Sequence, residues 1–473
     1  MLIFVASPGN ILTNTDFSSL NLQASLLANL TSLGYSQMTP IQASSLPGIL
    51  AGKDIIGQGK TGSGKTAAFG LGLLEKLEVK KYRVQSLVIC PTRELADQVA
   101  KEIRRLARAI HNIKVLTLCG GMPFGPQIGS LEHGAHIIVG TPGRLEEHIR
   151  KGTLKLENLT TLVLDEADRM LDMGFQDVLD NIVAQLPVKR QTLLFSATYP
   201  EQIQEIAKRI MKEPQMVQVV STHDNASIEQ KFYKVKDNLH RLEVLRLLLL
   251  ESQPESALVF CNTKRETQEL AQQLAGYGFT ALAIHGDLEQ RDRDQTLVRF
   301  INKSANILVA TDVAARGLDI ESLDAVFNYQ IARDPEVHVH RIGRTGRAGN
   351  KGLACSLFSE KEAYNVTLLD GDIDPVHDCE SLPSQNMLTR EPMVPLMTTL
   401  LIDGGKKQKL RPGDILGALT GDKGIAGKDV GKISVFDNRA YVAVARRVVN
   451  IALKILDEGK LKGRSFRVRH INR

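Results

Sequence analysis

Short apolar runs of three to five residues recur along the chain, each ending in polar residues and each separated from the next by a helix-like stretch. The first set is Ser86–Cys90, His136–Gly140, Thr161–Leu164 and Gln191–Phe195. The second is Ala257–Phe260, Ala281–Ile284, Ile307–Ala310 and Ala325–Phe327. A strand with one wet face alternates apolar and polar residues; these runs are largely apolar throughout. Continuous apolar strands alternating with helices imply a parallel sheet covered on both faces. In such sheets ligands collect beyond the carboxyl ends of the strands, where the polar residues follow here. The pattern predicts an α/β chain with two tandem doubly wound parallel-sheet domains, over 1–215 and 225–370, with Pro214–Asn225 as the hinge.

From Leu368 to Pro395 the pattern gives way to acidic and Pro/Ser-containing sequence, which reads as a linker over 371–395. A βαββαβ order follows over 396–473. Strands are expected at Thr398–Asp403, Lys432–Val435, Tyr441–Val444 and Ser465–Val468. Helices are expected from Pro412, which suits a first turn, and from Ala445 to Glu458 with Gly459 as the stop. This is the ferredoxin-like order of an RNA-recognition (RRM-like) module. The opening Met1–Ala6 is apolar but short and lacks a basic leader, so it is a poor signal peptide. Nowhere are 18 consecutive residues apolar, which excludes a membrane-spanning helix.

Composition narrows the class further. With 43% apolar and 24% charged residues, the chain is neither disordered nor a disulfide scaffold. Its five cysteines are scattered without a CxxC pair, which suggests no zinc site and fits a reducing cytoplasm. The net charge of +6 is unevenly placed. Residues 391–473 hold 17 Lys and Arg against 8 Asp and Glu, so the rest of the chain is slightly acidic. A small basic module on a near-neutral body suggests a polyanionic partner.

Two motifs carry chemistry. Gly59-Lys60-Thr61-Gly62-Ser63-Gly64-Lys65-Thr66 precedes a helix-like run. Glycines let backbone N–H groups wrap phosphates, a lysine reaches the β and γ oxygens, and a hydroxyl can join Mg²⁺. Asp165-Glu166-Ala167-Asp168 follows the apolar run Thr161–Leu164, which sets carboxylates at a strand's carboxyl end. There the first can hold a metal ion and the next can orient and deprotonate a water.

With these motifs the chain resembles the DEAD-box RNA helicases, and over essentially its whole length the bacterial DbpA subfamily. The resemblance also rests on Gly34–Gln42, Pro91–Leu95, Gly120-Gly121, Thr141–Arg144, Ser196-Ala197-Thr198, Phe260–Thr263, Gln290–Arg293, Thr311-Asp312, Ala315–Asp319 and His340–Arg347. One departure is Gly59, where the family usually has alanine.

The resemblance implies two RecA-like domains with ATP between them. Phe17 would stack on adenine and Gln42 would read its edge, since an amide both donates and accepts. The loop from Gly59 to Thr66 would bind the phosphates, Thr66 and Asp165 would hold Mg²⁺, and Gly317 and Asp319 would close on the ribose and phosphates. Catalysis would fall to Lys65, Asp165, Glu166 and the arginine fingers Arg344 and Arg347. Arg93, Gly121, Thr141, Arg144 and Thr311 would hold the RNA sugar-phosphate. Ser196 and Thr198 would couple nucleotide state to closure through the DEAD carboxylates, Asp168 included. In the C-terminal module, Lys406, Lys407, Lys409, Arg411, Lys462, Arg464 and Arg467 would bind RNA, with Tyr441 the one aromatic left on its strand to stack.

The expected activity is RNA-stimulated ATP hydrolysis with local unwinding of short RNA duplexes. The expected partner is 23S rRNA in a large-subunit precursor, bound by a cytoplasmic monomer, with no DNA and no membrane. An ATP-gated RNA clamp or scaffold shares every binding motif but does not need Glu166, Arg344 and Arg347. A DNA-translocating helicase of the same superfamily shares the phosphate loop but not the Gln42 motif or the DEAD and Ser196–Thr198 pair.

Overall fold

The structure is a computed structural model. It describes residues 3–6, 15–59, 62–219, 228–315, 323–332, 334–346, 351–369, 379–421 and 424–471. Among the sequence-predicted site residues, Lys60, Thr61, Gly317, Asp319 and Arg347 lie outside the described residues. The described chain falls into two compact units that meet in sequence between Val219 and Ile228.

The first unit is built on an eight-stranded parallel sheet. Its strands are β1 (Ile3–Ala6), β2 (Ile55–Gln58), β3 (Ser86–Ile89), β4 (Val115–Leu118), β5 (Ile137–Gly140), β6 (Thr161–Asp165), β7 (Gln191–Ser196) and β8 (Gln215–Val219), in the order β1-β8-β2-β7-β6-β3-β5-β4. The apolar runs are strands because both of their faces are covered. Val88, Val139, Val163, Leu193 and Phe195 enter one core. Their neighbours Leu87, Ile89, Ile138, Leu162, Leu164 and Leu194 enter the other. Each such side chain removed from water contributes about 1.5–3 kcal/mol, so a charge at Val163 would break the layer. The helices match the sheet. In Arg93–Leu106 the residues Leu95, Ala96, Val99, Ala100, Ile103 and Leu106 form one buried stripe, and the Thr92 hydroxyl caps the helix by accepting from the Leu95 N–H at 3.3 Å.

The second unit carries two sheets. The larger is parallel, with β9 (Ile228–Val235), β10 (Ala257–Cys261), β11 (Ala281–Ile284), β12 (Ile307–Thr311), β13 (Ala325–Asn328) and β14 (Gly352–Ser359) in the order β11-β12-β10-β13-β14-β9. The smaller is antiparallel, with β15 (Met397–Ile402), β16 (Val430–Val435), β17 (Ala440–Ala445) and β18 (Val468–His470) in the order β16-β17-β15-β18. Helices Pro412–Leu419 and Val449–Glu458 cover one face of it, over Leu400, Ile402, Val442 and Val444.

Several expected boundaries move. Within the expected hinge, Gln215–Val219 form β8, which lies between β1 and β2. The apolar opening supplies β1, paired with β8. The helix expected from Ala445 starts at Val449, because Ala445 still pairs with Met397 and a 3-10 turn follows. The last strand lies later than Ser465, because Lys462 and Gly463 turn the chain with positive φ. The described part of the expected linker is packed. Glu380 N–H donates to the Phe232 carbonyl at 2.9 Å, and Met387 and Leu388 pack on the second parallel-sheet core.

Candidate functional site

In the first unit the motifs gather at the carboxyl ends of the parallel strands, and the strand order sorts them. β2, β7 and β6 lie side by side and lead into the phosphate loop, Ser196–Thr198 and Asp165–Asp168. β3, β5 and β4 lie side by side and lead into Arg93, Thr141 and Gly120-Gly121. β6 and β3 are neighbours, so the two groups adjoin on one edge of the sheet.

The phosphate loop opens from β2 and closes on helix Lys65–Glu75. Gly64 has φ +94°, and a Cβ there would stand 2.5 Å from Gln42 Nε2, so a side chain is doubly excluded. At Gly59 a Cβ would come tightest on the Ser63 Oγ at 3.1 Å, the end of a small side chain that can turn, with ordinary contacts at 3.8 Å beyond it. The family's usual alanine would therefore need only a slight shift. Lys65 is buried and its Nζ donates to the Gly59 carbonyl at 2.8 Å. Among the described residues Ser63 Oγ is buried without a hydrogen-bond partner, and Thr66 is the half-buried second residue of the helix.

Two residues expected at adenine are enclosed by the protein. Phe17 is 3% exposed and lies nearly perpendicular to Tyr35, with ring centroids 6.1 Å apart. Gln42 is 2% exposed; its Oε1 accepts from Thr39 N–H at 2.9 Å and its Nε2 donates to the Gly64 carbonyl at 3.1 Å. It ties a helix start to the phosphate loop.

The carboxylates are likewise enclosed. Burial pushes the Asp165 carboxyl up to about 7, against the pull of Lys65. Glu166 adopts a left-handed backbone, φ +52°, and its Oε2 receives Arg169 Nη1 at 2.7 Å with both side chains buried. Asp168 Oδ2 accepts from Ala197 N–H, Thr198 N–H and Thr198 Oγ1 at 2.9–3.1 Å, and the Asp168 N–H donates to Ser196 Oγ at 3.2 Å. Burial raises the Asp168 carboxyl, but the Thr198 N–H and nearby cations outweigh it and hold it below its ordinary value. The Gly59 N–H donates to the Ser196 carbonyl at 3.0 Å, so one hydrogen-bonded chain joins the phosphate loop, β7 and the DEAD carboxylates.

Among the expected RNA residues, Gly121 is exposed with φ +74° and Thr141 is half-buried, its Oγ1 accepting from Gly120 N–H at 3.4 Å. Arg93 lies at a helix start, 3.9 Å from Asp97. Arg144 is engaged with the protein, donating to the Met122 carbonyl and to Gln127 Oε1 at 2.9 Å and pairing with Glu147 at 3.1 Å. It shapes the loop that carries Gly121. In the second unit Thr311 ends β12 and Arg344 is buried at 5% exposure.

Sequence reading missed two arginines. Arg169 holds Glu166, and its spacing of three on a helix start was the available signal. Arg341 is 1% exposed and joins Asp312 (2.6 and 2.8 Å), Asn262 (2.9 Å) and the Gln330 carbonyl (2.7 Å), three separate stretches of the second unit. Only the position of Arg341 inside the His340–Arg347 motif pointed to it.

The C-terminal sheet corrects one expectation. Tyr441 is 2% exposed and sits with Val298 and Leu401, with Phe436 edge-on at 5.5 Å. The sheet face it occupies is covered by helix Gln290–Ile301 of the parallel-sheet domain, and Thr399 beside it bonds to Ser304 at 2.6 Å and Asn302 at 3.2 Å. Tyr441 therefore has no face to offer a base. Lys406, Lys407, Lys409, Arg411, Lys462, Arg464 and Arg467 are exposed, and Lys462 Nζ donates to the Lys409 carbonyl at 3.2 Å, which brings the two basic runs together.

Comparison with known proteins adds to this geometry. Three family descriptions match: DEAD/DEAH box helicase over residues 39–206, helicase conserved C-terminal domain over 240–349, and DbpA RNA binding domain over 399–470. The ATP-dependent RNA helicase DbpA of Escherichia coli K12 is 55% identical over 456 residues, which is 96% of this chain and 99% of that protein. The DEAD-box ATP-dependent RNA helicase CshA of Bacillus cereus is 48% identical over 74% of this chain and 66% of that protein. Among solved structures, Saccharomyces cerevisiae Dbp5 bound to RNA and ADP BeF3 is similar with a TM-score of 0.69 and 30% identity, covering 78% of this chain and 95% of that one.

Proposed function

The chain belongs to the DEAD-box ATP-dependent RNA helicases and carries a DbpA-type RNA-binding domain; on that premise we propose that it uses ATP hydrolysis to separate short RNA duplexes locally on 23S ribosomal RNA during large-subunit assembly. The observation that carries the catalytic part is the enclosed set Asp165, Glu166 and Asp168 at the end of β6, beside Lys65 and bonded to Ser196 and Thr198.

Thr66 and Asp165 would hold a magnesium ion, since a hydroxyl and a buried strand-end carboxylate are the oxygen donors such an ion takes. Such an ion, bound with the nucleotide, supplies charge neutralisation on the β and γ oxygens. Lys65 leaves the Gly59 carbonyl to meet the phosphates, and the N–H groups of Gly62, Ser63 and Gly64 line them. Glu166, oriented by Arg169, takes the proton of the attacking water. Arg344 and Arg347 meet charge that develops on the transferred phosphoryl. Phe17 stacks on the adenine and Gln42 reads its edge, while the Gln42 amide also braces the phosphate loop at the Gly64 carbonyl. Asp168 reports the state of that loop to Ser196 and Thr198. Gly121, Thr141, Arg93 and Thr311 bind sugar-phosphate, with Arg144 shaping the loop.

Selection of RNA falls to the paired basic runs of the C-terminal domain, since Tyr441 is covered. Those exposed cations would hold phosphates of a folded RNA rather than read single-stranded bases. The test compares the full chain with one ending at Pro395, measuring ATPase against RNA concentration on ribosomal and unrelated RNA. We expect the shortened chain to keep RNA-stimulated hydrolysis and lose the preference for ribosomal RNA. An unchanged preference would place selection in the two parallel-sheet domains.

A further inference from the structure

Where the C-terminal sheet lies on the second parallel-sheet domain, the seam holds a cavity of about 360 Å³. Its size falls in the range of ligand pockets, roughly 300–1,000 Å³. One wall is Arg299 and Ser304, from the end of helix Gln290–Ile301 and the turn after it. The other is Thr398, Arg446 and His470, from β15, the turn after β17 and β18. The lining has two guanidinium groups, an imidazole and hydroxyls, and no carboxylate.

Each side of the seam leaves its cations without a counter-charge. Among the described residues neither Arg299 nor Arg446 has a carboxylate within ion-pair distance, whereas Arg447, next in sequence, pairs with Asp429 and Arg469 pairs with Asp403 at 3.1 Å. Burial alone moves the Arg299 guanidinium below its ordinary pKa, with no acidic neighbour pulling it back. A half-buried guanidinium in a polar, acid-free cavity is stabilised by an anion. The seam is also held firmly. Ser304 and Asn302 both bond to Thr399, and Val298, Leu401 and Tyr441 pack beneath it.

We propose that this cavity binds a backbone phosphate of RNA, with Arg299 and Arg446 as the paired donors and His470 beside them. The proposal rests on the reading of the chain as an RNA helicase and adds a site that spans both domains of the second unit. A phosphate held there joins the strand selected by the C-terminal domain to the domain that carries Thr311 and Arg344. It also makes the docked seam, rather than either domain alone, the binding surface. The occupant is RNA rather than free phosphate because the exposed side of the cavity carries Arg446 at the surface of an already basic domain.

The test uses the full chain and a fluorescently labelled fragment of large-subunit ribosomal RNA, with an unrelated RNA as a second probe. Arg446 is exposed, so Arg446→Glu should fold as the unchanged chain does. We expect it to weaken binding of both RNAs by at least fivefold and to lower the slope of log affinity against log salt by about one. Arg299→Gln should act in the same direction. Lys454→Glu, an equal charge reversal at an exposed residue that does not line the cavity, should weaken binding by less than twofold. Inorganic phosphate at matched ionic strength should compete with RNA on the unchanged chain and much less on Arg446→Glu.

Equal losses at Lys454 and Arg446 would mean diffuse attraction and would overturn the site. So would an Arg446→Glu chain that binds both RNAs as the unchanged chain does. Phosphate that binds without displacing RNA would assign the cavity to a free anion and overturn the RNA assignment. The ribosomal target fails separately, if the unchanged chain binds the two RNAs equally.

Discussion

At the scale of single residues, Glu166 depends on Arg169. Both are enclosed at 3% exposure, and removing one partner of a buried ion pair leaves an uncompensated charge at a cost of about 3–5 kcal/mol. Arg169→Met should therefore lower the melting temperature and nearly abolish RNA-stimulated hydrolysis, while Arg169→Lys should recover part of both. Hydrolysis by Arg169→Met within twofold of the unchanged chain would show that Glu166 needs no such support. His148 gives a pH-dependent counterpart. Burial, with Arg144 nearby, depresses its imidazole to about 4, while its Nε2 meets Gln127 Oε1 at 2.9 Å. A histidine with a depressed pKa stays neutral when folded and gains a proton when unfolded. Its contribution is thus full above about 6.5 and is lost as pH falls towards 4. Melting temperatures between pH 7 and pH 5 should fall less steeply for His148→Gln; identical slopes would remove His148 from that loss. One residue shows the limit of reading by type and position. Tyr441 was expected to stack, but helix Gln290–Ile301, far away in sequence, covers the sheet face it occupies.

Among the elements, unbroken apolar runs were legible as strands and mixed sequences were obscure. β3, β5, β6, β7, β10 and β12 are buried along their whole length, so a continuous apolar run marks each of them. β9 is an edge strand reading Ile-Glu-Gln-Lys-Phe-Tyr-Lys-Val, with exposed positions among buried ones, and β4, at an edge of the first unit's sheet, has two half-buried residues. Such strands carry no unbroken apolar signal. The segment after the second parallel-sheet domain shows the same limit. Its composition reads as a linker, yet Met387 and Leu388 seal the core and Gln385 bonds to Glu243 at 2.6 Å. For that reason the shortened chain ends at Pro395; a chain ending at Glu380 would confound lost RNA selection with a damaged core.

For the whole molecule, phosphate chemistry was legible because its motifs are local: a glycine loop, a strand-end carboxylate pair and a hydroxyl pair, each contiguous in sequence. The sheet order then brings them together, with β2, β7 and β6 adjacent, and no local pattern records that order. The covered face of the C-terminal sheet was illegible for the same reason, since helix Gln290–Ile301 comes about a hundred residues before β15 and about 140 before β17. The central claim is that Glu166 converts binding of ATP and RNA into turnover. An amide at that position cannot take the proton of water, so Glu166→Gln isolates the chemical step from binding. The most direct measurement is ATP hydrolysis by the full chain and by Glu166→Gln, each with RNA, with DNA of the same sequence and with neither, alongside ATP-dependent RNA binding. The account predicts hydrolysis stimulated by RNA and not by DNA, and a Glu166→Gln chain that still binds ATP and RNA while hydrolysing at least a hundredfold more slowly. Hydrolysis by Glu166→Gln within threefold of the unchanged chain, or equal stimulation by DNA, would contradict it.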